Sequence, residues 1–137
     1  MSYLKTYDIF ISHAWRYSDD YDCLVKLLNE AQNFKWRNYS DPEHDPVIDP
    51  NDVVGRRKLE KELDEQIRPV NCVIVISGMY AAYSNWIQTE INIATSYMKP
   101  IIGIKPWGQE RVPQAVQDVA VKMVGWNTDS IVSAIRS

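Results

Sequence analysis

The chain has 137 residues, 45% of them hydrophobic and 24% charged, which suits one globular domain over 1–137 with a single substantial core. Its net charge is −3 with Lys and Arg scattered, so it carries no electrostatic footprint for a nucleic-acid backbone or an anionic membrane. No apolar stretch approaches the roughly 18 to 20 residues of a membrane span, and the N-terminus runs into a strand pattern without signal-peptide architecture, which predicts a cytoplasmic protein.

Short apolar runs alternate with helical patterns along the chain, the signature of a parallel sheet covered on both faces. "YDIFIS" (7–12) is the first strand. Ser18 offers an N-cap, Asp19, Asp20 and Asp22 suit the positive end of a helix, and Leu24, Leu27, Leu28 and Ala31 follow at helical spacing. "FKWRNY" (34–39) alternates in a half-exposed pattern that suits an edge strand. The acidic, proline-containing stretch 40–55 is absorbed by neither helix nor strand and reads as a long loop.

Residues 56–68 form a charged helix, and "VNCVIVIS" (70–77) is a nearly continuous apolar run that belongs in the centre of the sheet. "SGMYAAYSNW" (77–86) reads as the turn out of that strand, with Asn85 as the N-cap of the next helix and Gln88 as its capping-box partner. "PIIGIK" (100–105), a loop at 106–113, a short helix at 114–121, "MVGW" (123–126) and a helix at 128–136 capped by Asn127 or Thr128 complete the alternation. Cys23 falls in a helix pattern and Cys72 in a strand pattern without C-x-x-C spacing, which predicts buried free thiols. The class is α/β, a flavodoxin-like three-layer fold whose five-stranded parallel sheet takes the order 2-1-3-4-5.

In the third helix pattern Trp86, Ile93 and Tyr97 share one sector and Ile87, Ile91, Ala94 and Met98 the next, so that they form one apolar arc. Glu90 falls inside that arc. A carboxylate there needs a hydrogen-bonding partner or a function; a salt bridge or a place at the solvent rim is the structural alternative. In a 2-1-3-4-5 sheet, ligands bind beyond the carboxyl ends of strands one and three, and those ends are "SHAWRYS" (12–18) and "SGMYAAYSNW". Glu90 is thus expected to point into the crevice at the switch point.

The glycines, Gly55, Gly78, Gly103, Gly108 and Gly125, form neither a G-x-G-x-x-G nor a P-loop pattern. The third strand ends in Ser77-Gly78, where a phosphate-accepting receiver domain needs an aspartate. His13 and His44, the only histidines, leave little for a histidine-based metal centre, and no serine sits in a nucleophile elbow. A nucleoside N-glycosyl transferase of related fold would also want a glutamate near the switch point.

The set "YDIFISHAW", "WRNYSDPEHDP", "VIVISGMYAAYSNWIQTEI", "KPIIGIKPWG" and "VGWNTDSIVSAI" resembles the bacterial TIR-like proteins of the type found as the TIR subunit of Thoeris anti-phage systems. The resemblance runs along nearly the whole chain and includes the W-x-x-x-E of Trp86 to Glu90. It implies an enzyme that cleaves the bond between nicotinamide and ribose in NAD, with Glu90 as the catalytic glutamate. The implied product is a cyclic ADP-ribose isomer, a second messenger for a partner effector. NAD is then substrate rather than cofactor, and no metal is implied.

Carried over by position, the resemblance puts His13, Ala14 and Trp15 beside the nicotinamide-ribose and Asn38 and Tyr39 at the end of the second strand. Ser77 and Tyr80 come behind the loop into the third helix, with Trp86 shielding Glu90. It implies that the 40–55 loop joins subunits; because this loop is acidic, the charge for the NAD pyrophosphate is expected from Lys35, Arg37 or Arg16 instead. Self-association and a phage-derived trigger are implied as well. The alternative is a non-catalytic TIR-type interaction and assembly module, to which the long loop and the edge strand are suited.

Overall fold

A computed structural model of the protein describes residues 5–12, 19–40, 53–108 and 111–137. The strands are β1 (Thr6–Ser12), β2 (Lys35–Asn38), β3 (Cys72–Ile76), β4 (Ile101–Ile104) and β5 (Lys122–Val124). They alternate with helices α1 (Asp19–Glu30), α2 (Val53–Ile67), α3 (Ser77–Ser96), α4 (Gln114–Val119) and α5 (Thr128–Arg136). All pairings are parallel and the sheet order is β2-β1-β3-β4-β5, the order expected from the sequence.

Parallel strands need crossover connections, and right-handed crossovers put helices on a face set by the direction of travel. From β1 to β2 the chain moves one way, and from β2 through β3 and β4 to β5 it moves the other. Accordingly α2, α3 and α4 pack together, while α1 packs with α5. Residues of β3 and β4 are buried throughout because helices cover both faces. β2 pairs with β1 alone, and its residues alternate between exposed and half-buried, as an edge strand does.

Local chemistry sets several boundaries. Asn127 caps α5, its side chain accepting from the Ser130 amide at 3.1 Å. Asp19, Asp20 and Asp22 occupy the first turn of α1, where the helix dipole favours them.

Two expectations are corrected. α3 starts at Ser77, directly off β3, with no side-chain cap. The stretch 77–86 is therefore helix rather than turn, and Asn85 is exposed inside the helix rather than capping it. Gln88 bonds Tyr80 and Asn92 in place of a cap. Second, the apolar arc of α3 stops short. Ile87, Ile91 and Ala94 are buried and Trp86 and Ile93 are half-buried, but the helix ends at Ser96, Tyr97 is exposed, and Met98 is 89% exposed with φ of 54°. Cys23 and Cys72 are free thiols, the first half-buried and the second buried. No helix among the described residues is long and apolar enough to cross a membrane.

Candidate functional site

The structure places Glu90 on the fourth turn of α3, on the face that Ile87, Ile91 and Ala94 press against the sheet. Its exposure is 1%. The Ser12 hydroxyl, at the last residue of β1, donates to Glu90 Oε1 at 3.1 Å. The acid is thus anchored at the carboxyl end of β1, against the neighbouring strand β3, where the order of the sheet reverses. The position is the switch point expected from the sequence, but the side chain is buried and bonded to Ser12 on the core-facing side of α3 rather than open to a crevice.

Ser77 follows β3 at the same edge of the sheet, since Val75 lies opposite Ser12. Its side chain is buried, and its hydroxyl makes no hydrogen bond among the described residues. A Cβ built on the adjacent Gly78 would lie 3.7 Å from Asp20 Oδ2 and 4.0 Å from Pro106 Cβ. Asp20 from the start of α1 and Pro106 from beyond β4 therefore converge on the start of α3. Asp20 also accepts from the Trp107 indole at 2.9 Å.

Asn38 and Tyr39 lie where expected, at the carboxyl end of β2, but their environment is a polar network that the sequence did not announce. The Asn38 amide donates to the Tyr21 hydroxyl at 2.9 Å, and Asn38 Oδ1 accepts from the Ser40 amide at 2.9 Å and from the Ser40 hydroxyl. Tyr21 is buried in α1, so this network ties the end of the edge strand to the first helix. Tyr39 donates its backbone amide to the Ile9 carbonyl at 2.9 Å and packs on the core.

Tyr80 is not directed at Glu90. Its hydroxyl donates to Gln88 Oε1 at 2.9 Å, and residues two apart on a helix are about 200° apart around it, so Gln88 lies on the far side of α3 from the acid. Trp86 is half-buried against the core one turn before Glu90, as a shielding residue would be. His13, Ala14 and Trp15 lie outside the described residues, as do Arg16 and residues 41–52 of the long loop.

Of the cationic residues expected to serve the pyrophosphate, the two among the described residues, Lys35 and Arg37, are not assembled here. Arg37 is committed to Asp8 through Nε at 2.6 Å and a second nitrogen at 3.1 Å. The hydrogen bond to Asp8, then its charge, pushes the guanidinium pKa up. Lys35 pairs with Thr6 at the opposite, amino end of the strands. Ser12, Tyr21, Asp20 and Trp107 are the site residues that sequence reasoning did not single out; a hydroxyl closing the buried run of β1 was the one signal available for Ser12. Among the described residues, no group of three or more His, Cys, Asp and Glu side chains is arranged to hold a metal ion.

The sheet order and the anchored acid define a flavodoxin-like α/β domain with a carboxylate at its topological switch point. Residues 10–111 match the family described as Thoeris protein ThsB, TIR-like domain, and the chain belongs to that family. It is a defence-related TIR protein of the Thoeris type. No curated protein matches the chain.

Proposed function

We propose that the protein cleaves NAD at the bond between nicotinamide and ribose and converts the remainder to a cyclic ADP-ribose-type signal that activates a partner effector in anti-phage defence. The observation that carries this reading is the Glu90 carboxylate, buried at the carboxyl edge of the sheet and held by Ser12. Burial of an acid among isoleucines disfavours folding unless it is compensated, so a binding or catalytic task accounts for its presence better than packing does.

In the proposed reaction the ribose–nitrogen bond breaks with its electron pair leaving on nicotinamide, and the ribose carbon becomes oxocarbenium-like. A carboxylate beside it stabilises that developing positive charge and binds the ribose hydroxyls. An internal nucleophile of the ADP-ribose then bonds to the same carbon and gives up its proton. NAD enters as substrate, and the chemistry asks for no resident cofactor or metal. Because Glu90 is 1% exposed, its carboxylate meets a ribose only after the surrounding elements shift, which self-association or a phage-derived trigger would bring about.

β2, hydrogen-bonded on one side only, is the feature that favours a non-catalytic assembly module instead. Incubation of the purified chain with NAD, alone and with lysate of phage-infected cells, separates the two. Nicotinamide together with a nucleotide of the mass of cyclic ADP-ribose supports the cyclase. No nicotinamide under either condition supports the assembly module.

A further inference from the structure

The Trp107 and Trp126 rings stack at 4.5 Å between centroids with an interplanar angle of 6°. One comes from the segment after β4 and the other from the residue before the Asn127 cap of α5, so the pair bridges the carboxyl ends of two neighbouring strands. The stack is held from both sides. Trp107 is fixed by its indole N–H on Asp20 Oδ1 at 2.9 Å, and Trp126 packs on the core. Yet Trp107 remains 51% exposed, which leaves a large flat aromatic surface in water where a monomeric domain gains nothing from it.

Beside the pair lies a cavity of about 410 Å³ lined by Lys105, Pro106, Val112 and both tryptophans. The buried Trp126 indole nitrogen makes no hydrogen bond among the described residues. A rigid stacking face with a lysine beside it matches a planar heteroaromatic ring that carries a phosphate. Such rings stack on tryptophan whatever their substituents.

We propose that Trp107 and Trp126 form a purine-nucleotide subsite, with the base stacked on the exposed face of Trp107, Trp126 backing that ring from its other face, and Lys105 drawing the phosphate. This assignment rests on the NAD reading above in one respect: the adenosine monophosphate half of the dinucleotide is the occupant. Asp20 links the subsite to the start of α3, since it holds Trp107 and lies against Gly78.

The test is a titration of the ¹⁵N-labelled chain with adenosine monophosphate, following the indole N–H signals assigned with Trp107→Phe and Trp126→Phe. Nicotinamide mononucleotide, which lacks the purine, serves as comparator. Saturable shifts of the Trp107 and Trp126 signals with the purine nucleotide alone, and binding at least about tenfold weaker in Trp107→Ala, are expected. No movement of either signal at millimolar adenosine monophosphate, or equal movement with both nucleotides, overturns the subsite whether or not NAD is cleaved. Saturable shifts in a chain that never releases nicotinamide would support the subsite while counting against the catalytic reading.

Discussion

Ser12 and Glu90, separated by 78 positions in sequence, meet through one buried hydrogen bond of 3.1 Å that joins the end of the first strand to the third helix. Removal of either partner loses this hydrogen bond while the other polar group stays buried, whereas removal of both takes the two groups away together. Ser12→Ala should therefore lower stability by about 1.5–3 kcal/mol, the range for hydrogen bonds to charged groups. Ser12→Ala combined with Glu90→Leu should be more stable than Ser12→Ala alone. Urea unfolding of the two single variants and the double variant gives the coupling energy, and simple additivity would show that the pair is not energetically linked.

Cys72 supplies a pH signature. Burial at the start of β3 pushes its thiol from 9.0 up to about 12. The folded chain then keeps this proton to higher pH than the unfolded chain, so the thiol's contribution is intact below about pH 9 and is lost as pH climbs toward 12. Between about pH 8 and about pH 10.5 the wild type should lose about 2 kcal/mol more stability than Cys72→Ala. Parallel pH dependences for the two proteins would place the thiol in contact with water.

Gly103 is buried in β4, where a Cβ would collide with Met123 Sδ and come within 2.8 Å of Met123 Cε and 3.1 Å of Val116 Cγ1. The obstacle is mainly the flexible end of one side chain. Gly103→Ala should accordingly destabilise by about 1–3 kcal/mol, and trimming the obstacle with Met123→Ala should make the glycine substitution nearly neutral in that background. Thermal unfolding of the four proteins checks this.

The order of the sheet was legible because "FKWRNY" carries an edge-strand alternation while "VNCVIVIS" reads as a strand buried on both faces. Glu90 was legible because a charged residue within the Ile87–Ile91–Ala94 face breaks helical periodicity. The start of α3 was not. Ser77, Gly78 and Ser84 read as turn residues, whereas the Met-Tyr-Ala-Ala run between them has helix propensity enough to continue straight from β3. Ser12 and the Trp107–Trp126 pair escaped for another reason. Their partners are brought together by the crossovers of the sheet, and no local pattern encodes a contact such as that of Asp20 with Trp107, 87 residues away.

The most direct test of the account is NAD turnover by Glu90→Gln, a near-isosteric change that keeps an oxygen for Ser12 but removes the negative charge. Its unfolding profile, measured alongside, should show a folded protein. The account predicts that nicotinamide release falls by at least about a hundredfold, as expected when a group that stabilises transition-state charge is removed. A folded Glu90→Gln protein releasing nicotinamide as fast as wild type would contradict it, because the carboxylate at the switch point would then have no part in the chemistry.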